Sequence, residues 1–262
     1  MTNEQQSMPH FENPPIVEKL MGIKFAPLEQ WDVPHFGLFW QEIRASYPRF
    51  QVQPHITEFS EDSYVDLNSV RCWFFNESQE KLIQIQNDRF IYNWQKPAAY
   101  EKYPRYETIL QEFIDEWLRF CKFLESNDIG TPSVQQCEIT YIDHFVRGRE
   151  WQDLSDLPDI INCWSGISSK FLPTEPDFVA IQTAYSMPDE KGKLSIRLQT
   201  GVRTEDEKEI LHLQITAVGE PLSSDIEDML AWFNLGRELA VQSFIDLTSA
   251  KMHELWGRRD GV

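Results

Sequence analysis

Glycine is scarce in this chain. Eleven glycines in 262 residues leave little backbone for loops that wrap a phosphate, and no GxxxxGK[ST] or GxGxxG signature occurs. There is also no GxSxG elbow, no HExxH pair and no aspartate-rich calcium loop. Basic residues are few as well: 24 Lys and Arg against 42 Asp and Glu give a net charge of −18. Nucleic-acid binding draws most of its affinity from cations on phosphates, so no nucleic-acid partner is expected. An anionic membrane surface is disfavoured on the same ground. The acidity suits solubility or a basic protein partner. The four cysteines, Cys72, Cys121, Cys137 and Cys163, lie at no metal-type spacing, so neither a metal nor another cofactor is expected. No apolar run approaches the ~20 residues of a membrane span, and residues 1–12 are polar and unlike a signal peptide. The expectation is a cytoplasmic protein with reduced thiols.

Aromatics are abundant: nine Trp, seventeen Phe and eight Tyr. Each buries roughly 150–250 Å², which calls for a thick core or an exposed aromatic surface. The clearest periodicity lies in the last third. Leu194, Ile196 and Leu198, then Leu211, Leu213 and Ile215, alternate with polar residues, as strands with one buried face do. From Ile226 onward, Met229, Leu230, Phe233, Ala240, Phe244, Leu247 and Leu255 recur at three- and four-residue steps, a helical stripe. Ser224 with Glu227 reads as its capping box, and Asn234-Leu235-Gly236 as a break between a short helix and a long one.

Earlier in the chain, residues 1–12 read as a flexible tail and Ile16 to Phe25 as a strand. Asp32 caps a helix with Phe36, Phe39, Trp40 and Ile43 on its stripe. Residues 49–69 show little pattern. Arg71 to Asn76 is a short strand. Lys81 to Gln86 and Arg89 to Trp94 form a hairpin across Asn87-Asp88, both of which tolerate positive φ. Phe90, Tyr92 and Trp94 share one face and read as core. A helix opening at Tyr103-Pro104 carries Ile109, Phe113, Trp117, Phe120 and Leu124. Val134 to Val146 and Phe178 to Met187 are further strands, and Trp151 to Trp164 is weakly helical. The order strand, helix, strands, long helix thus occurs twice. It predicts a first α+β half over residues 13–130 and a second over 131–262, arising by internal duplication and joined in one compact unit. The predicted class is α+β, a mainly antiparallel curved sheet with two long helices packed on one face.

Candidate site residues are few. Tyr141, Asp143 and His144 place an acid beside a histidine, but neighbours on a strand point to opposite faces, so they form no direct dyad. Asp143 shares its face with Tyr141 and Phe145, where a buried carboxylate needs a partner. Arg197, Arg203 and His212 fall on the polar side of adjacent strands and could form an anion or partner site. No residue is assigned a catalytic role.

Several segments resemble an uncharacterised, sporadically distributed bacterial family of about this length. They are Asn13-Pro14-Pro15-Ile16-Val17-Glu18, Asp88-Arg89-Phe90 with Asn93-Trp94, Tyr103-Pro104-Arg105-Tyr106, Glu138-Ile139-Thr140-Tyr141 with His144, and Phe244 to Trp256-Gly257. The patchy distribution of that family is similar to that of genes on mobile elements, including defence and toxin–antitoxin loci. The resemblance implies no activity and no catalytic residues. The missing motifs lean the reading away from an enzyme. They favour a binding or interaction protein, with a defence or toxin–antitoxin partner-recognition subunit as its implied setting, and homo-oligomers remain open. The alternative is a small-ligand-binding protein or an enzyme, with a cavity where a curved sheet grips a helix.

Overall fold

The computed structural model describes residues 8–56, 70–97, 103–166, 171–172 and 176–259. Alternating sequences lay down the sheet. Strands β1 (His10–Phe11), β2 (Ile16–Phe25), β3 (Arg49–Pro54), β4 (Val70–Phe75), β5 (Lys81–Gln86) and β6 (Arg89–Gln95) precede residue 97; β7 (Val134–Val146), β8 (Ala180–Ser186), β9 (Lys193–Val202), β10 (Glu209–Gly219) and β11 (Arg258–Arg259) follow. The helices are α1 (Val33–Ile43), α2 (Tyr106–Ser126), α3 (Leu157–Ile160), α4 (Ile226–Leu247) and α5 (Ala250–Leu255).

Among the described residues, nine strands form one sheet in the order β3-β4-β5-β6-β2-β7-β10-β9-β8, with every neighbouring pair antiparallel. The α+β class with a large antiparallel sheet is therefore as the alternation predicts. The two stretches of sheet meet at the β2–β7 pair, and each continues outward to an open edge strand, β3 or β8.

Register fixes the faces. Phe90 lies opposite Ile23, Ile23 opposite Cys137, and Cys137 opposite Gly219, so these positions share one side. That side carries α1, α2 and α4. Phe90 stacks at 5.4 Å on Phe120 of α2, and Phe120 also meets Trp31, Phe39 and Trp117 within 6.0 Å. Each such aromatic pair adds roughly 0.5–1.5 kcal/mol beyond its buried area. The α2 stripe of Ile109, Phe113, Trp117, Phe120 and Leu124 is buried along its length. Helices α2 and α4 touch at Phe113 and Phe233, whose ring centres are 5.0 Å apart.

Local details differ from the sequence reading in five places. The expected tail includes β1, which pairs with β11, and Phe11 packs edge-on against Phe244 at 5.5 Å. Residues 1–7 lie outside the described residues. Helix α2 begins at Tyr106 behind an Arg105 cap, which leaves Tyr103 free to reach across to Trp94 at 5.2 Å. The cap of α4 is Asp225, without a side-chain cap bond. The Ser224 hydroxyl instead accepts from the Val134 amide at 3.0 Å. Helix α4 runs unbroken through Asn234-Leu235-Gly236 and stops at Thr248. Gly236 sits there because the helix crosses the sheet closely: a Cβ at this point would lie 2.9 Å from Cγ2 of Ile139. Finally, part of the poorly patterned 49–69 stretch is the edge strand β3; residues 57–69 lie outside the described residues.

Candidate functional site

A cleft of about 820 Å³ opens where β1, the middle of the sheet, the start of α2 and the second half of α4 converge. Its lining includes His10, Tyr106, Tyr141, Asp143, Arg237 and Phe244. The volume falls in the range usual for small-molecule sites.

Asp143 is the unusual member. On β7 it lies opposite Ile16 of β2 on one side and Leu213 of β10 on the other, both buried and apolar. The residue is 4% exposed. Its carboxyl faces the cleft and makes no hydrogen bond or ion pair with any described residue. Burial alone pushes this carboxyl up to about 8, because the charged form is desolvated and nothing compensates it.

Beside it lies a lysine with no water around it. Lys19 of β2 is 0% exposed and sits opposite Tyr141. Its ammonium is 4.2 Å from the centre of the Tyr106 ring and 4.6 Å from that of Tyr141. It donates to the Tyr103 hydroxyl at 3.3 Å. Burial, then repulsion from Arg237, holds the amine well below the ordinary lysine range, while Glu107 acts the other way. Rings replace water as the partner of this cation. The phenols pay in kind: burial pushes Tyr103, Tyr106 and Tyr141 above the usual tyrosine range. Arg237 caps the group from α4, its guanidinium 4.4 Å over the Tyr106 ring and 3.7 Å from Glu107.

The backbone explains how Ile16 and this lysine come to share a side. Between Ile16 and Glu18 the β2–β7 register shifts, and a bulge there inserts one residue. Ile16 and Lys19 consequently both face the helices, although three positions apart would normally oppose them. The rest of the strand, Met21, Ile23 and Phe25, continues the buried side.

The six residues singled out from sequence divide between the two sides of the sheet. Tyr141 and Asp143 meet in the cleft. His144 and His212 meet on the opposite side, directly paired in register, with Nε2 of one 3.2 Å from Nδ1 of the other. Burial, then the neighbouring His212 and Arg203, lowers His144 to about 4, and burial with Arg197 lowers His212. Both imidazoles are thus neutral at pH 7, which leaves the pair without the charge an anion site would draw on. Arg203 is held by Asp206 at 2.8 and 2.6 Å, whereas Arg197 is exposed. The same side carries a chain of polar contacts across strands. Arg71 donates to Gln84 at 2.8 Å, Gln84 to Asn93 at 2.7 Å, and Asn93 to Glu18 at 2.5 Å. Thr140 and Thr216 bond at 2.8 Å farther along.

Sequence reasoning missed Lys19, Tyr103, Tyr106 and Arg237 as site residues. The signal for Lys19 was present: it stands two residues before Met21, in step with Ile23 and Phe25, so alternation alone puts it among core positions. The aromatics carried no such mark, since tyrosines at a helix start read as packing.

The four cysteines are free thiols, with Cys72 and Cys137 buried and Cys163 exposed. Among the described residues, no group of three or more His, Cys, Asp or Glu side chains is placed to hold a metal ion. No described helix is long and apolar enough to cross a membrane. No known family, curated protein or solved structure matches the chain.

Proposed function

We propose that the chain is a small-ligand-binding protein and that the cleft beside Asp143 is where the ligand sits. One observation carries this reading: the carboxyl of a residue only 4% exposed lines a cavity and has no partner among the described residues. Burying such a group costs free energy unless something hydrogen-bonds it. A ligand is the ordinary way for a binding site to supply that partner. Tyr141, Tyr106 and Phe244 provide apolar walls around a few convergent polar groups, the usual composition of a ligand pocket. Purification from the native host followed by native mass spectrometry tests the reading. A bound small molecule that is displaced when Val241, on the α4 wall, is changed to Trp supports it. A chain that comes out empty, and is not stabilised by any compound in a metabolite screen, defeats it.

A second reading, recognition of a protein partner, rests on the open sheet edges. The edge strand β3 exposes Phe50 and Val52, at 54% and 58%, and the opposite edge strand β8 exposes Tyr185 at 54%. Exposed edges offer unpaired backbone groups for strand addition, and apolar side chains nearby add area. A net charge of −18 would steer a basic partner. The defence or toxin–antitoxin setting of such a partner rests on the family resemblance alone. Charged replacements Phe50→Glu and Val52→Lys should abolish co-purification of that partner; unchanged recovery would end this reading.

A further inference from the structure

We propose that the ligand of the cleft is an organic amine whose ammonium group is bound by the Asp143 carboxylate against the tyrosine walls. This rests on the reading of the cleft as a ligand site and adds the class of ligand.

The argument is one of unmatched charge. Three cations stand near the cleft, and each is already provided for. Arg237 lies over the Tyr106 ring and 3.7 Å from Glu107. Lys19 is enclosed by rings and bonded to the Tyr103 hydroxyl. Arg105 is exposed to solvent. None of them is near enough to draw the Asp143 carboxyl down, since burial alone accounts for where it titrates. Once Asp143 is ionised, the surroundings therefore lack one positive charge at one place, next to a carboxylate with no partner among the described residues. Where Asp143 is ionised, an anionic ligand would bring a second negative group to that spot. An ammonium ion brings the missing charge together with donors, and aromatic faces favour cations electrostatically. The walls add apolar contact from Phe11, Phe244 and Tyr141, so the amine should carry a hydrocarbon or aromatic body.

Binding should be linked to protons in one direction. Asp143 holds its proton up to about pH 8 in the unliganded protein, and it must lose that proton to pair with an ammonium ion. Affinity for an amine then rises roughly tenfold per pH unit below that value, and close to one proton is released per molecule bound near pH 7. The other titratable groups near the space are three phenols, Glu107, His10 and Lys19. The three phenols are shifted upward, beyond the window, and Glu107 is exposed and 3.7 Å from Arg237. His10 lies exposed at the mouth, on β1. Lys19 is the group that could add to the signal, since an ammonium ion bound nearby would lower its amine further and release a proton of the same sign. Lys19→Met separates the two, because it leaves the Asp143 slope intact.

The test is calorimetry on the full chain from pH 6 to 9, in buffers of different ionisation enthalpy. The probes are primary amines from ethylamine to 2-phenylethylamine, with the matching alcohols and carboxylates. The expected result is amine binding at least tenfold tighter than alcohol binding, strengthening with pH, with proton release that Asp143→Asn abolishes. Asp143→Asn preserves side-chain shape, its circular dichroism spectrum reports folding, and the wild-type pH series stands without it. Carboxylates binding in place of amines, more weakly as pH rises, would overturn the amine assignment and leave the ligand site intact. Failure of all three probe classes to bind would overturn both.

Discussion

Lys19 and Tyr141 face each other across the central β2–β7 seam, with the ammonium of one 4.6 Å from the ring centre of the other. A cation so placed depends on its rings, because water does not reach it. Lys19→Ala should therefore destabilise the fold by about 2–5 kcal/mol, as a void opens among three tyrosines. Lys19→Met fills the same space without the charge and should fall within about 1 kcal/mol of wild type, or above it. The pH slope distinguishes the two effects. The folded amine titrates below its unfolded value of about 10.4. Below the folded value the burial penalty is complete, and it is relieved as pH climbs toward 10.4. Wild-type stability should rise relative to Lys19→Met over that alkaline window in urea melts.

Asp143 should give the complementary behaviour. Its folded value of about 8 lies above the unfolded value of about 3.9. The carboxyl therefore costs nothing below pH 4, costs progressively more from there to pH 8, and is constant beyond. Asp143→Asn removes this term. Its stability advantage over wild type should grow by something on the order of 3 kcal/mol between pH 5 and pH 8. Parallel denaturation curves at both pH values would contradict the assignment.

Gly236 should resist replacement although it lies inside a helix. Alanine normally gains about 1 kcal/mol over glycine in such a position. Here its Cβ would fall 2.9 Å from Ile139 Cγ2 and 3.4 Å from Ala217 Cβ. Overpacking of that kind costs about 1–3 kcal/mol. The net expectation is a loss of about 1 kcal/mol for Gly236→Ala and a larger one for Gly236→Val, read from chemical denaturation midpoints.

His144 and His212 should remain neutral well into the acid range. His144 is lowered to about 4, first by burial and then by His212. Its contribution to stability is present above the unfolded value near 6.5 and is lost as pH falls toward 4. Imidazole NMR signals followed from pH 7.5 to 3.5 should show His144 titrating near 4, and at a higher pH once His212 is replaced by Asn. A midpoint near 6.5 in the intact protein would contradict the paired geometry.

Much of the architecture was legible because it is locally periodic. The long strand Val134–Val146 and the stripe from Ile109 to Leu124 follow from two- and three-to-four-residue spacing, and Asn87-Asp88 marks its own turn. What was illegible depends on contacts distant in the chain. Gly236 reads as a helix breaker until Ile139 is known to lie against it. Ser224 reads as a cap until the Val134 amide claims its hydroxyl. The cleft was half visible: Tyr141 and Asp143 were marked by a carboxylate on an apolar face, whereas Tyr103, Tyr106 and Arg237 become neighbours of Lys19 only when α2 and α4 come to rest on the same side of the sheet.

The irregularity near Val17 has a consequence for how such a protein can change. Removing that single residue would restore simple alternation and turn Ile16, with the chain before it, to the far side, taking away the wall opposite Asp143 while Lys19 keeps step with Met21, Ile23 and Phe25. The pocket is encoded in an offset of one step more than in any set of letters. Its gain or loss in evolution is therefore a matter of insertion and deletion, which comparisons of residue identity pass over.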